Sequence, residues 1–258
     1  MVLLIGLVLY SKNRNHWKKS LGVYWLINLV VMGTLMYGGV FGMPVVETSQ
    51  WSGLPLTFML ALFGMVAAYP IGVLLALGRQ SRMPTIKTLC VVYIEMIRGV
   101  PLISLLFMSS VMFPLFLPEG VTIDKVLRAQ VAIILFTAAY IAEVVRGGLQ
   151  AMERGQFEAA DSLGLTYNQT MRLVILPQAL RVIIPPMISQ YLNLTKNSSL
   201  AIAVGYMDIT GTLGGITLNQ TGREMESLMI LMAIYLTISL SISTVMNQYN
   251  ERVKLRER

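Results

Sequence analysis

Charge in this chain is confined to clusters, and the stretches between them are apolar runs of about twenty residues, long enough at 1.5 Å per residue to cross a ~30 Å hydrocarbon core. Inside a bilayer no water is present to satisfy backbone N–H and C=O groups, so only helices and closed barrels can span it. No strand-period alternation runs through these segments, which argues against a barrel. The expected fold is therefore an all-α polytopic membrane protein with about six transmembrane helices. The spans expected are Leu21–Phe41, Gly53–Gly78, Val100–Leu117, Ala129–Val145, Val182–Tyr206 and Ser227–Asn247. The fifth is the least regular, because Lys196 interrupts it. Pro84–Arg98 reads as a further helix, opened by Pro84 and ended by Gly99 and Pro101. Its expected place is an interfacial elbow, with an extension of the third span as the alternative.

Composition narrows the function classes. Charged residues make up 13% of the chain, against roughly 25% in a soluble domain. One cysteine, Cys90, and one histidine, His16, exclude an internal disulfide and argue against a His/Cys metal site. The net charge of +7 reads as membrane topology and not as nucleic-acid binding. With the N-terminus inside, 16 Lys and Arg fall in the inner segments 11–20, 78–98, 146–181 and 248–258, and only Lys125, Arg128 and Arg223 lie outside. That bias places both termini in the cytoplasm, and with them the 146–181 loop. Met1–Tyr10 lacks the basic start and small-residue cleavage site of a signal peptide, and reads as the tail of a truncated helix.

The 146–181 loop is polar yet patterned to fold. Gln156–Leu163 is expected as a short helix, with Phe157, Ala160 and Leu163 on one face and Glu158 and Asp161 on another. Gly164 can take the left-handed conformation that ends a helix. Thr166-x-x-Gln169 is a capping-box pattern that starts the next, and Pro177 stops or kinks it. The residues alone leave two readings level: a well-capped loop with a solvated face, or a helix–turn–helix elbow that touches a cytoplasmic partner.

Glu158-Ala159-Ala160, Gly164 and Val174-x-Leu176-Pro177 resemble the EAA loop of permease subunits of ATP-binding-cassette (ABC) importers. Val174 stands where that pattern usually has Ile. The likeness extends over residues 53–250 and is similar to the polar amino-acid permease branch. Its motifs here are Ile94-Glu95-x-x-Arg98-Gly99-x-Pro101-Leu102, Ala139-Tyr140-x-x-Glu143-x-x-Arg146-Gly147-Gly148, Leu176-Pro177-Gln178-Ala179 and Lys196-Asn197-Ser198-Ser199-Leu200. Gly78-Arg79-Gln80-Ser81 and Gly147-Gly148-Leu149-Gln150 are most similar to the M-type permease of general L-amino-acid importers.

The resemblance implies a five-helix type I importer core at 53–250 and a short tail at 251–258. Residues 1–52 would hold extra membrane segments, shortened relative to that branch. It implies that Glu158, Ala159, Ala160, Gly164, Leu176 and Pro177 couple the chain to ATPase subunits, and that ATP and magnesium belong to those partners, with no cofactor held by this chain. A second permease or a copy of this one, an extracytoplasmic amino-acid-binding protein, an amino-acid substrate and the lipid bilayer complete the implied partners, at the bacterial inner membrane.

Other polar positions carry competing readings. Glu143 and Arg146, spaced i, i+3 at a span end, favour a local ion pair. Glu95 and Arg98 share that spacing, and an interfacial anchor and a brace for the loop stay equally open. Lys196 within a span costs about 2.5–3.5 kcal/mol unless it meets a cavity or a partner. Six of the seven residues 193–199 are polar, which favours Asn193, Lys196, Asn197, Ser198 and Ser199 as a translocation-path wall or a broken helix, over a plug against the other permease. Pro185-Pro186 is expected to kink the fifth span, either as a gate hinge or for packing. No GxxxxGK[ST] loop and no nucleophile–base constellation exist, so no catalytic residue is expected. The expected function is an amino-acid permease of an ATP-driven importer. The alternative is an ion-gradient-driven secondary transporter, which calls for paired broken helices and mid-membrane carboxylates.

Overall fold

Small residues decide how the two longest central helices meet. In the computed structural model, which describes residues 27, 30–40 and 42–253, α1 runs Gly53–Arg79 and α4 runs Lys125–Gln150. Gly64, Ala68, Gly72 and Ala76 recur every fourth residue on α1, and all four are buried. A Cβ on Gly72 would lie 2.6 Å from the Ile141 side chain of α4, so only glycine permits this approach. Lipid tails compete with apolar side chains on equal terms, so close backbone approach and dispersion hold such a pair together. Around this seam lie two apolar clusters. One gathers Leu56, Leu60, Ile133 and Leu194; the other gathers Ala68, Ile94, Ile141, Val145, Ile175 and Ile183. The start of α4 is fixed by Asp124, whose carboxylate accepts the Val126 and Leu127 amides at 2.8 and 3.2 Å.

Helix α2 (Pro84–Gly99) is followed by α3 (Leu102–Phe116) after a turn of 104°. Val100 is extended, as the residue before Pro101 must be. The elbow is thus a separate helix, set at a sharp angle to α3. Regular helix was expected across Val100–Leu117, but α3 is α-helical only to Phe107, then widens into a π-turn over Met108–Met112 and tightens to 3-10 over Phe113–Phe116. The cause is Pro114, which has no N–H and crowds the carbonyl four residues back; the wide turn just before it absorbs that crowding.

The same device recurs at Pro177. Helix α5 (Arg154–Ser162) and helix α6 (Tyr167–Val182) form a hairpin. A π-turn over Thr170–Ile175 precedes Pro177, so the helix neither stops nor kinks there but continues to Val182. The bend comes later, at Ile183, where α7 (Ile184–Val204) departs at 58°. Pro185 and Pro186 occupy the first turn of α7, where helix N–H groups have no intrahelical acceptor and proline costs little. The fifth span changes character where its polar run lies: α-helix to Asn197, then 3-10 from Ser198 to Val204, ended by Gly205 at φ +87°. Helix α8 (209–221) and helix α9 (Glu224–Val253) complete the chain.

Among the described residues, α1, α4 and α9 are long and apolar enough to cross a membrane, and five spans result if α2–α3 and α6–α7 each count as one broken span. The architecture is all-α and polytopic. Of the further expected span, Leu21–Phe41, the described residues 27 and 30–37 are helical, while 21–26, 28, 29 and 41 lie outside the described residues, as do the basic clusters expected at 12–19 and 254–258. Met225, Leu228, Met229, Met232, Leu236 and Leu240 of α9 are exposed, an apolar surface suited to lipid or to another membrane helix.

Candidate coupling hairpin and polar groove

The hairpin closes through a complete set of caps. Gly164 sits at φ +72°, its amide donates to the Asp161 carbonyl at 2.9 Å, and the Leu165 amide reaches back to the Ala160 carbonyl at 3.1 Å. This is the paired Schellman pattern, and it satisfies carbonyls that a helix end leaves free. The capping box at the start of α6 is formed, with the Thr166 amide donating to Gln169 Oε1 at 2.9 Å. Gln178 Nε2 donates to Gln156 Oε1 at 3.0 Å and ties the two arms together.

Ala160 is buried against the second arm, and Phe157 packs on the lower core. Leu163, expected on that buried face, is 78% exposed, because the helix ends at Ser162 and the left-handed turn throws the next residue outward. Leu165 is partly buried beyond the turn. Glu158, Ala159, Asp161, Leu163 and Gly164 therefore form one exposed tip. Leu176 and Pro177 lie on the second arm, at the lower core and at the cavity described below.

Above the hairpin, five charges from three helices converge. Glu143 of α4 accepts from Arg146, as its spacing suggested, and also from Arg79 of α1 at 3.1 Å, and it forms an ion pair with Arg98 of α2 at 3.6 Å. Glu95 does not pair with Arg98 despite the helical spacing; it meets Arg79 at 3.1 Å. Glu95 and Arg98 thus each reach a charged residue of another helix, as the brace reading calls for. Arg79 was missed because its partners lie 16 and 64 residues away, beyond any local pattern. Arg82, next to it, stacks over Tyr167 of α6 at 5.5 Å, so the α1–α2 link also touches the hairpin. The Arg98 guanidinium lies 5.6 Å over the Tyr140 ring.

Tyr140 in turn borders a groove between α4 and α7. Phe136, Thr137 and Tyr140 form one wall, and Gln190, Asn193, Leu194 and Asn197 the other, around a cavity of about 330 Å³. Gln190, Asn193 and Asn197 share a helix face. Asn193 and Lys196 are exposed, and the Lys196 ammonium has no ion-pair partner among the described residues. Ser198 does not face the groove: it is fully buried, with its hydroxyl donating to the Thr195 carbonyl at 2.8 Å. Ser199 likewise donates to the Lys196 carbonyl at 2.7 Å. Both hydroxyls serve the tightened turn, which is how a polar run breaks a helix without opening it. Gln190, Thr137 and Tyr140 joined the groove unforeseen, since each sits in a mostly apolar stretch.

A second buried polar centre was also unforeseen. Asp208 is fully buried and N-caps α8 by accepting the Thr210 and Gly211 amides at 3.0 Å each. Its other oxygen accepts from the Tyr235 hydroxyl at 3.3 Å, and the Ile209 amide beside it donates to Thr57 at 3.1 Å. Burial pushes the Asp208 carboxyl above the usual carboxylate range, against the pull of these hydrogen bonds. Its only sequence signal is an acidic residue before Ile-Thr-Gly, a helix-start pattern.

Residues 68–255 match the family described as "Binding-protein-dependent transport system inner membrane component". The chain belongs to this family. It is 46% identical over 258 residues to the inner membrane amino-acid ABC transporter permease protein YhdY of Escherichia coli (strain K12), covering 98% of the chain and 70% of that protein. It is 70% identical over 128 residues to the glutamate/glutamine/aspartate/asparagine transport system permease protein BztB of Rhodobacter capsulatus, half of this chain but only 30% of that one. Among solved structures, an amino acid ABC transporter crystallised with histidines aligns at TM-score 0.70 and 32% identity, covering 78% of the chain and 92% of that structure. The family is a non-catalytic membrane component of a transport system.

Proposed function

We propose that this chain is the membrane-spanning subunit of an ATP-driven importer, that it carries amino acids across the bacterial inner membrane with both termini in the cytoplasm, and that the hairpin tip is its contact with the ATPase. Amino-acid transport is written into the names of YhdY and BztB, and broad-range L-amino acids fit the motifs that resemble the general importers. The partners would be two ATPase subunits holding ATP and magnesium, a second permease or a copy of this chain, and an extracytoplasmic binding protein.

One observation carries the reading. The tip residues Glu158, Ala159 and Gly164 are exposed, while the arms beneath them are tied by Gln156–Gln178, packed on α4 through Ile175 and Ala179, and touched at Tyr167 by Arg82 of the link between α1 and α2. Ala160 contributes by letting the arms close. Such a tip, bound differently by the open and closed ATPase, can bias the spans between two states. The groove of Thr137, Tyr140, Gln190, Asn193 and Asn197, with Lys196 nearby, is the favoured path wall. A secondary transporter is disfavoured by family membership.

The test is reconstitution with a matching ATPase and binding protein. Glu158→Lys and Gly164→Asp should each release the ATPase or uncouple its hydrolysis from uptake in vesicles. If both variants keep normal association and coupled transport, the tip is not the contact.

A further inference from the structure

Beside the bend at Ile183 lies a cavity of about 340 Å³ that the transport reading leaves unused. It is distinct from the groove. Met187 and Tyr191 line it from α7, on a helix face turned by roughly a quarter to a third of a circle from that of Gln190, Asn193 and Asn197. The remaining walls come from α1 through Tyr69, from the second hairpin arm through Leu180 and Arg181, and from the last turns of α9 through Met246 and Tyr249.

The lining is sorted by chemistry. Arg181 is exposed at the hairpin end, beside the bend, and has no acidic partner among the described residues. No carboxylate lines the cavity. Tyrosines supply the hydroxyls, and Leu180, Ile184, Met187 and Met246 supply an apolar wall that continues along the span. From Ile184 to Tyr191 the helix rises about 10 Å, so the slot runs from Arg181 at its mouth, past the apolar wall, to Tyr69 and Tyr191 at its far end. A cation with a tyrosine, Tyr249, from the last turns of a neighbouring span, beside an apolar wall between membrane helices, is the pattern that holds the headgroup of an anionic lipid.

We propose that this cavity binds one anionic phospholipid of the hairpin-side leaflet, with its phosphate on Arg181 and its acyl chain along Leu180, Met187 and Met246. The inference rests on the transport reading only for calling that leaflet cytoplasmic. Bound there, the lipid wedges between the second hairpin arm and α9, the surfaces that must slide if the bend changes.

The experiment uses the full chain in nanodiscs that contain phosphatidylglycerol and phosphatidylcholine, released and weighed by native mass spectrometry. The chain should retain phosphatidylglycerol in preference to phosphatidylcholine. Arg181→Gln should lower that retention about tenfold, the worth of one charge-assisted contact, and Arg181→Lys should restore most of it. Met187→Trp, which fills the slot, should lower retention of both lipids. Unchanged phosphatidylglycerol retention in Arg181→Gln overturns the site. Displacement of the lipid by millimolar glycerol phosphate also overturns it, because the site would then be one for a free phosphate. The readout needs no ATPase, so its failure leaves the transport reading standing, and failure of ATPase coupling leaves the lipid site standing.

Discussion

Neutralising Glu143 should loosen the junction of α1, α2 and α4 far more than neutralising Glu95. In Glu143→Gln the side chain keeps its size, but three guanidiniums lose their shared carboxylate. Arg79 keeps Glu95 at 3.1 Å; Arg98 and Arg146 keep no carboxylate in the cluster. A hydrogen bond to a charged group contributes about 1.5–3 kcal/mol, and these side chains are about a quarter exposed, which weakens each by screening. Mutual repulsion of the arginines adds to the loss, so a net cost of about 2–4 kcal/mol is expected. Glu95 has one partner and is 54% exposed, so Glu95→Gln should cost about 1 kcal/mol or less. The assay is thermal unfolding of the detergent-purified chain, with a double-mutant cycle of Arg79→Met and Glu143→Gln. Equal melting shifts for the two glutamine variants, or additivity within about 0.5 kcal/mol in the cycle, would refute the hub.

Two further expectations concern buried positions. Asp208 has its carboxyl raised on folding, so the folded chain binds a proton more readily than the unfolded one; its contribution is greatest below the unfolded value and falls as pH rises through the folded one. Asp208→Asn, which can still cap α8, should flatten that part of the pH profile of melting, whereas Asp208→Ala should lose about 1–2 kcal/mol at every pH for want of a cap; an unchanged slope in the Asn variant would count against the assignment. Gly148 and Gly147 are neighbours with opposite expectations. A Cβ at Gly148 would meet Ile183 and stand 3.0 Å from the Ala179 carbonyl, so Gly148→Ala should destabilise by about 1–3 kcal/mol, while Gly147→Ala meets open space and should be neutral or gain up to about 1 kcal/mol. Similar melting temperatures for both alanine variants would contradict the close approach of α4 to the bend.

What could be read in advance follows the range of the forces involved. The capping box at Thr166, the left-handed Gly164 and the Glu143–Arg146 pair are set by residues within four positions of each other, and all three formed. The apolar runs located α1, α4 and α9 because span length is a property of a single segment. Glu95 shows where local spacing fails: Arg98 was within reach, but Arg79 from another helix offered a better-placed partner. Asp208 depends on Thr57, some 150 residues earlier, and on Tyr235 of α9, so its burial had no local signature. Ser198 and Ser199 show that polarity in a span marks both a cavity wall and a helix that bonds its own backbone.

The bend at Ile183 gives the second arm a mechanical meaning. Tyr167–Val182 is a continuous helix of sixteen residues, about 24 Å at 1.5 Å per residue, set among the spans at one end and carrying the hairpin turn at the other. A swing of about 5° at its foot moves the tip by roughly 2 Å, on the scale of the helix shifts that drive switching at subunit interfaces. The helix therefore works as a lever with unequal arms. A displacement easily supplied at the tip becomes a small, forceful rotation where α7 begins, and the tightened turn at Ser198 lies farther along that same helix.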